Sequence, residues 1–320
     1  MRILLVKTSS LGDVIHNLPV VSDLVAWLPD AMIDWVVEES FAEIPRLHPK
    51  VNKVIPVAIR RWRSRLFSPD TWREIAVFRQ QLRSENYDFV IDTQGLLKSA
   101  LITRLAKGVR CGYDSASARE SLASIAYDRK FTVPASQHAV TRNRLLAALA
   151  TANSVTQPLD YGIAGRLPGA VARPNAVLLT ATSRDDKLWP EPHWIALGNR
   201  LNHLGLACKL PAGSPVERDR ASRLAAAIPN AFALPAMSLT DLAQTLASAQ
   251  VVIGVDTGLV HLAAALGRPT VALFCASDPI LTGVYASTPL VNLGARHDPP
   301  TVAAVLDAAT AFVKMRENQD

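Results

Sequence analysis

Short apolar runs recur along this chain, each leading into a polar loop and then a segment of helical composition, and few folds accommodate that rhythm. The clearest instance is Val251–Thr270, VVIGVDTGLVHLAAALGRPT. Val251–Ile253 reads as a buried strand. Gly254 to Gly258 make a tight turn, and Leu259–Leu266 has the composition of a helix that Gly267 and Pro269 stop. Asp256 or Thr257 falls where a helix N-cap belongs. A strand, a small-residue turn and a helix N-terminus form an anion site, because unpaired N–H groups and the helix dipole both point at the loop. The same residues also describe an ordinary strand–helix turn, so both readings stand on this stretch alone.

The rhythm extends in both directions. Ile3–Val6, Ile33–Val37, Val51–Val57 and Asp88–Ile91 read as strands, with helices over about Val14–Trp27 and Thr71–Arg83 and another running through Ala106. The polar stretch Thr151–Gln157 closes the first half, and Pro158–Pro174 is rich in Gly and Pro, as linkers are. Strands then recur at Ala176–Thr180, Ala207–Leu210, Ala231–Leu234, Val251–Ile253 and Thr270–Phe274. Helices fall at Pro192–Leu204, Glu217–Ile228, Leu239–Ala247, Leu259–Leu266 and Thr301–Met315. Alternation of this kind gives parallel βαβ units and doubly wound sheets. Two α/β domains are predicted, 1–157 and 175–320, joined by a 158–174 linker and facing a central cleft. Ligands would meet the loops that follow the strands.

Charge and cysteine content narrow the function. The 320 residues carry a net charge of +6, which favours anionic partners such as phosphates, nucleic acid or an acidic membrane face. Cys111, Cys208 and Cys275 are far apart with no CxxC spacing, which suggests a reducing compartment and no zinc site. Lys7 interrupts the first apolar run, so no signal peptide is expected, and no run of about 18 apolar residues exists to span a membrane. A soluble cytoplasmic protein is expected, able to touch a membrane face.

Five stretches carry chemistry. Lys7–Asp13 follows the first strand and lacks the G-x-G-x-x-G dinucleotide fingerprint. Asp13 there either caps the first helix or acts as a general base toward an acceptor hydroxyl. Ala58–Arg73 holds Arg60, Arg61, Arg63, Arg65 and Arg73 against one acid, Asp70, with Trp62, Phe67 and Trp72 interleaved. It reads as a basic loop, either solvated or built for phosphates, bases or lipid headgroups. In Thr180–Trp194, Thr182 and Ser183 offer hydroxyls, and Lys187 offers a charge to a diphosphate or a partner to Asp185 or Asp186. His261 lies one helical turn after Thr257 and is either a ligand neighbour or a core histidine. Glu217, in the loop after Ala207–Leu210, could accept hydrogen bonds from a ribose diol.

Taken together, VKTSSLGDVIHNLP, DWVVEE, VIPVAIRRWR, IDTQGLLKSA, SARESLAS, TSRDDKLWPEPHW, LPAMSL and VDTGLVHLAAALGRPT resemble, in order and spacing, the lipopolysaccharide heptosyltransferases of glycosyltransferase family 9. The combination of SSLGD with RRWR is similar to the branch that adds the first inner-core heptose. The resemblance implies a GT-B fold, α/β with two Rossmann-like doubly wound domains, whose last helix can pack back on the first. It implies inverting, metal-independent transfer from ADP-L-glycero-D-manno-heptose to Kdo-lipid A, without a cofactor, by a peripheral protein at the cytoplasmic face of the inner membrane. By resemblance the base is Asp13, with Lys187 assisting. The donor residues are Thr182, Ser183, Lys187, Glu217, Met237, Asp256, Thr257, Gly258 and His261. The acceptor residues are Arg60, Arg61, Arg63 and Arg119, and neither a metal ligand nor a nucleic-acid partner is implied. The competing readings are a second-heptose type of family 9 enzyme with another acceptor, a Rossmann oxidoreductase, and a non-enzymatic two-lobed protein that binds anions or nucleic acid. The missing glycine fingerprint counts against the oxidoreductase.

Overall fold

Apolar runs flanked by Gly, Pro and charged residues become the central strands because both faces of a parallel sheet are covered there, so that nearly every position is apolar. The computed structural model describes residues 1–167 and 173–317. Part of the predicted linker, 168–172, lies outside the described residues. The chain divides into two units, Met1–Gly162 and Ile163–Asp320.

In the first unit β1 (Arg2–Val6) leads to α1 (Leu11–Ile15) and α2 (Leu18–Trp27), and β2 (Met32–Glu38) to α3 (Glu43–Leu47). Next come β3 (Val51–Val57), α4 (Ile59–Arg63), α5 (Pro69–Arg83), β4 (Asn86–Asp92), α6 (Leu97–Leu105) and β5 (Lys107–Tyr113). A 3-10 turn at Ser121–Ala126, β6 (Arg129–Phe131) and α7 (Ala139–Ala150) complete the unit. The six strands pair in parallel in the order β3-β2-β1-β4-β5-β6. This order reverses direction between β1 and β4, so the loops after those two strands lie beside each other at the carboxyl edge, where doubly wound sheets bind ligands.

Two expectations need correction here. The single helix expected over about Val14–Trp27 is two, α1 and α2. Pro19 stands in the first turn of α2 and has no N–H with which to continue α1. The stretch expected as a basic loop holds a helix, α4, because Ala58–Arg65 closes helical turns of its own (Trp62 N–H to Ala58 O, 2.8 Å). Packing of α7 on α2 is fixed by a buried ion pair, with Arg144 Nε donating to Asp23 Oδ2 at 2.6 Å.

The second unit repeats the scheme. It runs β7 (Asn175–Leu179), a 3-10 turn at Asp185–Lys187, α8 (Glu191–His203), β8 (Ala207–Leu210), α9 (Pro215–Ala227), β9 (Ala231–Ala233) and α10 (Leu239–Ala247). Then follow β10 (Val251–Val255), α11 (Gly258–Ala265), β11 (Thr270–Leu273), α12 (Pro279–Thr282), β12 (Leu290–Leu293) and α13 (Val302–Glu317). The parallel order is β12-β11-β10-β7-β8-β9, with its reversal between β10 and β7. Trp189 and Trp194 meet edge to face, centroids 5.0 Å apart, in a core shared with α9 and α13. Gly254 lies inside β10 because a Cβ there would come within 2.6 Å of Val260 and 2.7 Å of Leu179, so only glycine lets α11 lie this close to the sheet. The closing helix buries Val305, Ala309 and Val313 in the second unit's core.

Candidate active site

On the first unit the loops after β1, β4 and β5 converge on Asp13. Its Oδ2 accepts the Ser10 N–H at 3.0 Å, closing a capping box at the start of α1. Its Oδ1 accepts from Arg119 Nη2 at 2.6 Å, and Lys7 Nζ stands 4.0 Å away. Capping and chemistry are therefore not alternatives: one oxygen orders the loop, and the carboxylate as a whole faces two cations. Burial alone would raise the Asp13 pKa, but Lys7 and Arg119 outweigh it and hold the carboxyl well below the usual carboxylate range. Burial likewise lowers the Lys7 amine from 10.5 to about 8, against the pull of Asp13. Lys7 is oriented by Thr93 O at 2.9 Å. The loop that supplies Thr93 is in turn folded over Asp92, whose Oδ1 accepts from Gln94 N and Gly95 N, with Gly95 at φ +66°.

One further cation enters this edge, Lys98 of the IDTQGLLKSA stretch, to which the sequence assigned no role. Lys98 Nζ donates to Ser9 Oγ at 2.6 Å, and its charge is felt together with those of Arg60, Glu38, Asp13 and Glu120. Burial lowers its pKa. A lysine after a Gly-Leu-Leu turn carries no local signal; the sheet order brings it there.

The arginine stretch divides by environment. Arg61 donates from Nε and Nη2 to Glu39 and from Nη1 to Glu74, so this residue, expected at the acceptor's phosphates, fastens α4 to neighbouring elements. Asp70, the one acid within the stretch, pairs with Arg73, while Glu39 from outside it and Glu74 just beyond its end meet Arg61. Trp62 packs on Phe78 at 5.8 Å and donates to Glu74, which places it under α4. Arg60 lies over the Phe41 ring at 5.2 Å, and both Arg60 and Arg63 are exposed.

On the second unit a cavity of about 260 Å³ opens at the carboxyl edge beside β7, β8 and β10. Thr182, Ser183, Gly213, Glu217, Thr257 and Leu259 are among its lining. Thr257 is the N-cap of α11 with its hydroxyl not used in capping, and Gly258 is the first helical residue, so backbone donors at this end are open to an anion. Beside the cavity, Lys187 Nζ meets Asp256 Oδ2 at 2.6 Å. Ser277 Oγ donates to the same oxygen at 2.6 Å, and Thr182 Oγ1 donates to the Asp256 carbonyl at 2.9 Å. Asp256 is thus a hub tying three loops together. Lys187 pairs with neither Asp185 nor Asp186, the sequence neighbours considered for it. Ser277, after β11, was not foreseen. Glu217 Oε2 accepts from Gly213 N and Ser214 N as half of a capping box, while the residue also lines the cavity. His261 is buried one turn into α11, and Met237 is half-buried in the loop after β9. A larger cavity, about 560 Å³, lies at the opposite edge of this sheet, against Asn175, Ala207, Asn230 and Ser248. Doubly wound sheets as a rule bind their ligands at the carboxyl ends of the strands, the other edge.

Comparison with known proteins agrees with this geometry. The profile described as Glycosyltransferase family 9 (heptosyltransferase) matches residues 75–306. Lipopolysaccharide heptosyltransferase 1 of Escherichia coli K12 is 50% identical over 304 residues, covering 93% of this chain and 95% of the relative. The enzyme of the same name from Pseudomonas aeruginosa is 49% identical over 301 residues, 92% of this chain and 84% of the relative. The solved structure of E. coli heptosyltransferase WaaC with ADP superposes with a TM-score of 0.93 at 46% identity, covering 98% of this chain and 100% of that one. The same enzyme with ADP-2-deoxy-2-fluoro heptose gives 0.86 at 44% identity, covering 99% and 100%. With both units α/β and doubly wound as in those structures, the chain belongs to glycosyltransferase family 9, the heptosyltransferases.

Proposed function

We propose that this glycosyltransferase moves L-glycero-D-manno-heptose from ADP-heptose to the Kdo of Kdo-lipid A, with inversion, in building the lipopolysaccharide inner core. The observation that carries the reading is Asp13, a carboxylate held at the switch point of the first sheet between Lys7 and Arg119, with Lys98 close by. That arrangement suits an acceptor bearing carboxylates and phosphates next to the hydroxyl that reacts.

The donor diphosphate sits at the N-terminus of α11, against Thr257, Gly258 and the hydroxyls of Thr182 and Ser183, with Lys187 as its cation. As the anomeric bond breaks, negative charge grows on the leaving phosphate, and donors already in place stabilise it; this is usually the largest catalytic effect. Glu217, Met237 and His261 shape the nucleotide end. Asp256 and Ser277 hold Lys187 in position.

Asp13 accepts the proton of the attacking Kdo hydroxyl. Its low proton affinity in the absence of acceptor makes it a weak base. Arg119 is the switch. An acceptor anion that draws Arg119 away removes one of the charges that depress Asp13, and the carboxylate becomes more basic when a substrate is present. Arg60, Arg63 and Lys98 complete the acceptor's counter-charges, while Arg61 keeps α4 in place. The chain acts as a peripheral protein at the cytoplasmic face of the inner membrane, where a lipid acceptor is presented; no described helix is long and apolar enough to cross a membrane. Purified protein incubated with ADP-heptose and Kdo-lipid A should yield, by mass spectrometry, product heavier by one heptose. Release of ADP without a heavier acceptor would sink the assignment.

A further inference from the structure

Four large aliphatic side chains on two neighbouring elements of the first unit face water together. Leu97 and Leu101 on α6 are 45% and 66% exposed, and Leu122 and Ile125 on the neighbouring 3-10 turn are 62% and 67% exposed. The contact between α6 and that turn is made by small residues instead: Ala100, Ala123 and Ala126 are buried in one cluster with Tyr127. This inverts the pattern of a helix that faces a core, where the large apolar side chains lie inside. Leu97 and Leu101 are one helical turn apart, and Leu122 and Ile125 follow the 3-10 period, so each pair is aligned on one side of its element. The two elements are tied together, with Leu97 N–H donating to Glu120 Oε2 at 2.5 Å and Glu120 N–H to Gly95 O at 3.0 Å.

The border of this patch carries more cations than acids. α6 holds Arg104, exposed, and Lys98, which reaches Ser9, with no acid. Arg119, paired with Asp13, stands just before the turn beside one acid, Glu120, which the Leu97 N–H engages. Asp128, after the turn, is paired with Arg110. A second copy of the chain docking here about a two-fold axis would set these cations against themselves, which disfavours it. Aliphatic side chains bordered by an excess of Lys and Arg fit an anionic lipid surface, the chains entering the acyl boundary and the cations meeting the phosphates. Exposed Leu66, Phe67 and Trp72, with Arg63 and Arg65, follow β3 at the same edge of the sheet.

We propose that the α6 and 3-10 patch, Leu97, Leu101, Leu122 and Ile125 with its basic border, is the surface by which this chain docks onto an anionic phospholipid bilayer. The inference rests on the reading of the acceptor as a membrane lipid, since docking here brings the Asp13 edge to the membrane. The test is co-sedimentation of the full chain with phosphatidylcholine vesicles, with and without phosphatidylglycerol. Wild type should bind the phosphatidylglycerol vesicles. Leu101→Gln/Ile125→Gln should bind them at least about tenfold less, since two side chains of several CH₂ groups each no longer enter the bilayer. Both sites are exposed, and an unchanged thermal melt verifies the fold; Leu97→Gln/Leu122→Gln serves as an independent second pair. With a deacylated, water-soluble Kdo acceptor the variants should turn over as wild type does, whereas KM for vesicle-embedded acceptor should rise. Wild type that ignores phosphatidylglycerol vesicles, or variants that bind them equally, would overturn the proposal. So would a wild-type dimer in sedimentation that the variants lose, because the patch would then be a protein interface. Vesicle binding with no heptose transfer to either acceptor would instead leave the surface standing and reject the assigned reaction.

Discussion

Replacing Lys187 by alanine tests the donor site, and the structure sets the size of the effect. Lys187 and Asp256 meet at 2.6 Å with side chains 19% and 14% exposed, and Ser277 is a third partner. Removing one member of a fully buried pair costs about 3–5 kcal/mol, whereas exposed pairs contribute under about 1 kcal/mol. A mostly buried pair whose surviving carboxylate keeps a hydroxyl donor falls between, at about 2 kcal/mol. For a unit of this size that lowers Tm by about 4–8 °C. Loss of a charge-assisted contact to the diphosphate, about 1.5–3 kcal/mol, weakens ADP binding by about 10- to 150-fold. A further effect comes from Asp256, which is left as an unneutralised anion next to the phosphates. The double variant Lys187→Ala/Asp256→Asn removes that repulsion and the buried unpaired charge. It should therefore bind ADP more tightly and melt higher than Lys187→Ala alone, although below wild type. Calorimetric titration with ADP and thermal melts of the three proteins measure both quantities. If Lys187→Ala binds ADP with wild-type affinity, the lysine is not at the diphosphate. If the double variant is weaker than the single one, Asp256 is itself a ligand and not the masked partner described here.

Asp13→Ala should lower kcat by about 10²–10⁴-fold, the usual share of a general base, while ADP affinity measured by titration stays near wild type; a near-normal kcat would return Asp13 to capping alone. The amine of Lys7, lowered by burial to about 8, gives a pH signature. Its charge is present below about pH 8 and lost above, so kcat/KM for the acceptor should break near pH 8, and Lys7→Met should remove the break. The sign for stability is the reverse: charging the buried amine disfavours folding, a penalty full below about pH 8 and relieved as pH rises toward 10.5, so wild type should gain on Lys7→Met over that interval in thermal melts. Arg60→Ala/Arg63→Ala should raise acceptor KM at low salt and flatten its dependence on ionic strength, leaving ADP affinity intact; an unchanged KM would make these arginines a solvated face. Turnover should survive EDTA, because in the proposed donor site Lys187 and the α11 N–H groups supply the diphosphate's counter-charge; activity lost to EDTA and restored by magnesium would contradict that.

Local sequence determined the repeating strand–loop–helix scheme, and with it a parallel sheet in each half. Val51–Val57, Ala207–Leu210 and Leu239–Ala247 form over the same residues that their patterns predict, since short apolar runs and an N-cap serine are signals confined to a few positions. The strand–turn–helix at Val251–Ala265 was legible for the same reason. Less was visible where composition is mixed: Lys107–Tyr113, KGVRCGY, has the alternation of neither a strand nor a helix, and becomes β5 because β4 and β6 supply its hydrogen-bond partners. Sequence could name Asp13, Lys187 and the arginines as chemistry-bearing, but their partners lie far along the chain. Asp13 meets Arg119 across 106 positions, Lys187 meets Asp256 across 69, and Arg61 meets Glu39 across 22. Those pairings, and the arrival of Lys98 and Ser277, follow from strand order, which gathers the carboxyl ends of β1, β4 and β5 in one sheet and of β7, β10 and β11 in the other. Charge at a site depends on distance in space, and only the fold converts distant positions into neighbours a few ångströms apart.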